Sequence, residues 1–488
     1  MKISYLSEPE LEFGAGERHI DIRYGLMQGG PLDKDNDNAP KLIRLGVVGT
    51  AETIDGVLKW LDQCARVGVI AKKSRLSNLF PAFPGYARGG CFESAITWSD
   101  QTRRAIPSGR IETIAKQSEY SAIADATDLF FDEMRALEEV ARIDVFIVAL
   151  PEILLHLDSE EEEDEESTEV DEQATRAEMR LNFRRMLKAK SMKLKAPIQI
   201  VLPATYGAKV KRGVRKENPL RGEEKRALQD EATRAWNLFT ALYYKAGGIP
   251  WRITRQSADL QNCFIGVSFY QNMAADTLKT SIAQVFNERG EGIIVRGAPV
   301  TLTKKDRQPH LARDDAAQLI TSSIKAFRDF HRHSPARVVL HKSSSYGTDE
   351  LEGFKEAIST ANVELSDLLW IDRSRTRLFR DGIYPPLRGT LLTLDEHEHI
   401  LYTRGSVDFF GTYPGLYVPA PKWLRLAKTE QPIDILASEI LALTKLNWNK
   451  TQFDGSEPIT LHAARHVGEI LKYVPDGDSI KPRYSFYM

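Results

Sequence analysis

The chain has 488 residues, 42% of them hydrophobic, and a formal net charge of -2 from 66 Lys+Arg against 68 Asp+Glu. That length allows at least two hydrophobic cores at roughly 100–200 residues per domain, and the near-neutral balance excludes a uniformly basic or acidic protein while leaving room for local asymmetry. Three scattered cysteines, Cys64, Cys91 and Cys263, exclude a disulfide framework or a CxxC zinc site; the opening "MKISYLSEPELEFG" has no signal-peptide core and no run of about 18 apolar residues occurs, so a cytosolic chain without a membrane span is expected.

The first clear element is "LIRLGVVGT", Leu42 to Thr50, a buried strand running into the amphipathic helix "AETIDGVLKWLDQCARVGV". Its Gly46 and Gly49 do not complete a GxGxxG, so a plain strand-to-helix turn is the reading. A second strand lies in "RIDVFIVALPEILLHL", with Pro151 stopping the ladder. The acidic run 158–173 that follows repels itself and is expected to be a solvated loop or a frayed helix start.

Met179, Phe183, Met186 and Leu187 then recur at helical spacing, which places Arg184 and Lys188, four apart, on one exposed face. "IQIVLPAT" is a third strand carrying Gln199, and a basic linker spans 209–221. The helix "GEEKRALQDEATRAWNLFTALYYKAGG" has an apolar stripe at Leu228, Ala232, Trp236, Phe239 and Tyr243, acidic residues Glu223 and Glu224 in its first turn, Lys245 in its last, and Gly247-Gly248 as its cap.

Strand and helix alternate in the order of a parallel α/β layer, whose ligand crevice lies at the strand carboxyl ends. Arg184, Lys188, Gln199 and Lys245 can converge there. Singly, each also reads as an ordinary surface cation, strand-end amide or dipole-complementing lysine, and at this point both readings stand.

The second half contains the core strand "CFIGVSFYQN", the sheet segment "EGIIVRGAPVTL", and the helix "ARDDAAQLITSSIKAFRDFHRH" feeding "PARVVLHKSSSYG". After these come the helix "DELEGFKEAIST", the strand "DLLWIDRS" and the hairpin "GTLLTLDEHEHILYTRGS". The serines after His341-Lys342 would read as a hydrolase's with a GxSxG elbow, and none accompanies them.

"NLFTALYYKAGGIPWRI", "CFIGVSFY", "PARVVLHKSS" and "FFGTYPGLYVPAP" occur in the order of the MID and PIWI domains of prokaryotic Argonautes, which this chain resembles. The opening "EPELEFGAGERHIDIRYGLMQGGPL" is similar to that of short Argonautes, which lack N and PAZ domains. The resemblance implies an α/β fold with a Rossmann-like MID domain followed by an RNase H-like PIWI domain. The expected division is an N-terminal segment at 1–125, MID at 126–249 and PIWI at 250–488.

PIWI cleavage requires carboxylates, because two hard divalent cations must be held by anionic oxygens while they stabilise the attacking and leaving oxygens. The family's acidic positions fall here on Ser268, Ser343 and Val418, and its glutamate finger on His310 to Ala312. The resemblance therefore implies a PIWI site without nuclease activity. Displaced carboxylates at Asp314, Asp315 or Asp372 are the alternative for an active nuclease, and a scaffold that binds no nucleic acid is a second alternative.

The MID pattern is kept. Arg184, Lys188, Gln199 and Lys245 match the residues that read a guide's 5′ phosphate, with Arg184 where an aromatic or histidine is usual, and the C-terminal carboxylate of Met488 is expected to close the pocket with a structural Mg2+. Lys190, Lys193, Lys209, Lys211 and Arg212 are expected to track the nucleic-acid backbone. The implied function is recognition of invading DNA by a guide RNA, without cleavage, in antiviral defence. The implied partner is an APAZ-containing effector (TIR, sirtuin-like or nuclease), forming a heterodimer and a higher oligomer on activation.

Overall fold

The strand that begins at Leu42 is the centre of the first sheet. In the computed structural model Leu42–Gly49 pairs in parallel with Ala95–Thr97, Arg103–Ala105 and Val145–Ala149, and the last of these pairs in parallel with the edge strand Ile198–Val201. The described residues are all except 75, 88–89, 158–180, 209–228, 255–260, 272–277, 281–282, 287–291, 301–307, 380, 382–385, 412, 414–417, 454 and 476, and Leu278–Thr280 and Ala283–Phe286 are described as backbone only. The acidic run and Met179, Glu223, Glu224 and Leu228 thus lie outside the described residues.

Val145–Ala149 is buried along its whole length, as a parallel strand covered on both faces should be. The helix Ala51–Val67 starts at Thr50, whose hydroxyl accepts from the Thr53 N–H, so "GVVGT" is a capped strand-to-helix turn. Helix Glu119–Val140 fills the core with Phe130, Met134 and Leu137. Helix Phe183–Ser191 is capped by Asn182, which accepts from the Arg185 N–H. The helix carrying Lys245, Glu231–Lys245, is capped by Asp230 and ends where Gly247 takes φ +100°, a conformation that favours glycine.

The chain divides into two compact units: Met1–Gly25 with Trp251–Asn447 and Gln452–Tyr487, and Leu26–Pro250 with Trp448–Thr451 and Met488. Lys2–Tyr5 pairs antiparallel with Thr390–Thr393, and the Glu8 carboxylate bonds to the buried Arg388 at 2.9 Å and to the buried Lys445, which ties the first residues to the second half. Leu42–Gly49, by contrast, is integral to the sheet that holds Ile198–Val201.

The unit containing the second half is built on a nine-stranded mixed sheet. Its middle is three parallel strands, Asn262–Val267, Arg337–Lys342 and Leu365–Arg373, flanked by antiparallel ones. Gly266 is forced by packing: a Cβ there would stand 2.0 Å from the Thr460 carbonyl oxygen of helix Ile459–Leu471. No helix among the described residues is long and apolar enough to cross a membrane.

Candidate nucleic-acid site

In the unit that includes Leu26–Pro250, four of the expected pocket residues come together. Lys188 is in the last turn of Phe183–Ser191, with Arg184 one turn earlier on the same face. Gln199 is on the edge strand Ile198–Val201, and Lys245 ends the next helix. Lys245 Nζ donates to the Gln199 Oε1 at 2.6 Å and to the Ile198 carbonyl at 2.9 Å.

Lys245 is only 5% exposed, and both of its acceptors are neutral oxygens. Burial, followed by the charges of Lys188 and Arg184, holds its ammonium well below the usual lysine pKa range. Lys188 is itself buried, and Met488, also buried, belongs to this unit. A phosphate at this ammonium would bring it a counter-charge and accept its donors, which is the role expected of the cluster.

The expected backbone track is less uniform. Lys190 pairs with Asp128 and lies 5.0 Å from the Phe131 ring centre, so it is committed to helix Glu119–Val140. Lys193 is exposed, and Lys209, Lys211 and Arg212 lie outside the described residues.

In the unit built on the nine-stranded sheet, Ser268 and Ser343 follow the last register pair of two parallel strands, Val267 and Lys342. The Ser343 N–H donates to the Val267 carbonyl at 3.3 Å, so the two serines share one sheet edge at the strand carboxyl ends. Val418 precedes Lys422–Lys428, the strand whose first residue pairs with Arg373 at the end of Leu365–Arg373.

The charge beside these serines is closed internally. Lys342 is 0% exposed, and its Nζ donates to Glu350 Oε2 at 2.9 Å, to the Pro309 carbonyl at 3.1 Å and to the Ser345 carbonyl at 2.5 Å. Glu350 Oε1 also accepts from the Leu311 N–H at 3.1 Å, which pins the 310–312 segment. Sequence reasoning missed Glu350, whose only signal was an acidic residue in the first turn of Thr348–Thr360, where helix starts commonly carry one.

The displaced carboxylates are not gathered. Asp314 and Asp315 are in the first turn of Arg313–His331, and the exposed Asp372 accepts from the N–H of Arg373. Among the described residues no three His, Cys, Asp or Glu side chains stand close enough to hold a metal ion.

Magnesium at the pocket can be tested against the same chemistry. Mg2+ needs near-octahedral oxygen donors, usually including carboxylate. The pocket gathers amines and a guanidinium, and its amide oxygen already accepts from Lys245. Of the expected residues, Met488 with its C-terminal carboxylate is the one that would hold Mg2+, together with a phosphate oxygen of a bound guide.

A parallel α/β unit and a mixed sheet with a central parallel triplet are similar in fold to the MID and PIWI domains of Argonautes. The solved Argonaute of Clostridium butyricum, bound to a guide DNA with a 5′ deoxycytidine and a 19-mer target DNA, superposes over 99% of this chain and 54% of that chain, with TM-score 0.63 and 15% identity. Aa-Ago with externally bound siRNA superposes over 99% and 56%, with TM-score 0.57 and 14% identity. The curated Argonaute of Aquifex aeolicus (strain VF5) is 24% identical over 235 residues, 48% of this chain and 30% of that protein. No protein-family model matches. The chain is similar to an Argonaute in sequence over that stretch and to Argonautes in fold, and it spans about half the length of the solved structures it matches.

Proposed function

We propose that this chain is a short Argonaute that binds the 5′ phosphate of a small guide RNA through Arg184, Lys188, Gln199 and Lys245, with Met488 beside them. The guide pairs with complementary invader DNA, and the chain recognises the duplex without cutting it. Recognition then passes to a separate APAZ-containing effector of TIR, sirtuin-like or nuclease type. The observation that carries this reading is the convergence of three cations on one edge strand, with the most buried of them bonded only to neutral oxygens.

The absence of cutting follows from the serine edge. Ser268 and Ser343 carry no charge with which to hold a divalent cation, and Lys342 consumes the nearby Glu350. Sequencing the nucleic acid that co-purifies with the chain tests the first part: short oligonucleotides with uniform phosphorylated 5′ ends are expected, and a preparation free of nucleic acid would favour a bare scaffold. Incubating the guide-loaded protein with Mg2+ and a complementary target tests the second. Intact target is expected, and cleavage that Asp372→Ala abolishes would establish an active nuclease.

A further inference from the structure

We infer that Asp33 is a positioning residue of the guide-end pocket: its carboxylate clamps the last turn of the helix that carries Lys245 and so holds that ammonium against Gln199. This inference rests on the reading of Arg184, Lys188, Gln199 and Lys245 as a 5′-phosphate pocket.

Lys245 is the last residue of Glu231–Lys245, and helix ends open more readily than helix centres. Burial holds its ammonium below the usual lysine range, so opening of this turn would return the group to water and relieve that cost. The glycine pair closes the turn on itself: the Gly247 N–H donates to the Tyr244 carbonyl at 2.9 Å and the Gly248 N–H to the Tyr243 carbonyl at 3.0 Å. Both bonds lie inside the turn and are lost when it opens.

Asp33 supplies a tie from outside the turn. It is 6% exposed, its Oδ1 accepts from the Tyr243 hydroxyl at 2.8 Å, and its Oδ2 accepts from the Ile249 N–H at 3.0 Å. One donor precedes Lys245 in the chain and the other follows it, so a single carboxylate brackets the residue on both sides. The loop that carries Asp33 is itself fixed, because the Leu32 N–H donates to the Pro250 carbonyl at 3.0 Å and the Asn36 N–H to the Asp33 carbonyl at 2.8 Å. Gly248 lets the Tyr243 ring lie against the cap, since a Cβ there would stand 2.2 Å from that ring.

A carboxylate suits the task. Both of its bonds are charge-assisted and stronger than bonds to a neutral acceptor. Burial pushes the Asp33 carboxyl above its ordinary range, while the Tyr243 hydroxyl, the Ile249 N–H and the charge of Lys41 act to lower it. The donors that favour the charged form are thus the groups that flank Lys245.

The experiment compares two oligonucleotides of identical sequence, one with a 5′ phosphate and one with a 5′ hydroxyl, for binding to the nucleic-acid-free full chain. The expected result is a phosphate preference that falls about tenfold in Asp33→Ala and about threefold in Tyr243→Phe, which removes one bond and keeps the ring, with binding of the hydroxyl form little changed. Asp33→Asn keeps an acceptor for Tyr243 and should retain more of the preference than Asp33→Ala. Leu137→Ala, a core truncation in the same unit, lowers stability without touching the clamp and should keep the wild-type preference. Acetylation of the folded protein gives a second readout: Lys245 should be labelled faster in Asp33→Ala than in wild type, while the buried Cys64 of the same unit stays protected from thiol reagents. A preference that survives in Asp33→Ala or, where that variant does not fold, in Tyr243→Phe overturns the clamp alone, as does an equal fall in Leu137→Ala. No preference in wild type overturns the 5′-phosphate reading, and this inference with it.

Discussion

Lys245 and Lys342 are both buried lysines beside strands of a sheet with parallel pairing, and they differ in what neutralises them. Lys342 has a carboxylate of its own, Glu350, at 2.9 Å, together with two carbonyls. Lys245 has two neutral oxygens and two neighbouring cations. A buried charge with its counter-ion is structure, because the pair satisfies itself; a buried charge without one is held at a cost that a ligand can relieve. Lys342 is thus closed on its own carboxylate, whereas Lys245 is the lysine whose burial a ligand's negative charge would relieve.

Removing the internal counter-ion should produce the largest effect. Glu350→Ala strands the Lys342 ammonium and leaves the Leu311 and Gly347 N–H groups without their acceptor, and should cost about 3–5 kcal/mol in chemical unfolding. A loss below about 1 kcal/mol would mean that Lys342 is not charged in the folded protein.

Next in size is loss of the ligand's partners. Lys188→Ala with Lys245→Ala should lower affinity for a 5′-phosphorylated oligonucleotide by about 100-fold, the worth of two charge-assisted hydrogen bonds less some compensation, while binding of the 5′-hydroxyl form changes little. Unchanged discrimination would move the phosphate site elsewhere.

The comparison sharpens when each lysine is replaced by an apolar residue of similar length. Lys342→Met should destabilise by about 3 kcal/mol, since it strands the Glu350 carboxylate. Lys245→Met should change the stability of the ligand-free protein by less than about 1 kcal/mol, because relief of like-charge crowding offsets the lost hydrogen bonds. Equal losses at the two positions would break the contrast.

The same difference predicts a pH dependence. Lys245 has a folded-state pKa below its unfolded value of about 10.4. Between those two values the unfolded chain binds the extra proton, so stability rises with pH; below the folded value both states are protonated and the penalty is fully present. The stability of Lys245→Met relative to wild type should therefore fall as pH rises through that window, and saturating phosphate should flatten the trend by raising the folded pKa. A Lys245→Met variant that gains stability relative to wild type as pH rises through that window would contradict the sign.

Much of this was legible in the sequence because it is local. The strands at 42–50 and 145–149, the helix face shared by Arg184 and Lys188, and the order of Gln199 and Lys245 all follow from periodicity and short spacing. What escaped was long-range. Lys2–Tyr5 is an edge strand whose partner Thr390–Thr393 lies nearly the whole chain away, and four residues carry no pairing signal. Glu350 resembled a routine helix-start acid, since only the fold brings it against Lys342 and the 310–312 segment. Nothing in "LIRLGVVGT" announces that its strand neighbours Val145–Ala149.

The smallest expected effect is also informative: Asp372→Ala should leave guide binding and target integrity unchanged, because that side chain is exposed and bonds to its own neighbour. The most direct test of the account is the affinity of the chain for one oligonucleotide with and without its 5′ phosphate, in wild type and in the Lys188→Ala, Lys245→Ala double variant. The account predicts a strong preference for the phosphate in wild type that the double variant loses. A wild-type protein indifferent to the phosphate, or a double variant that keeps the preference, would contradict it.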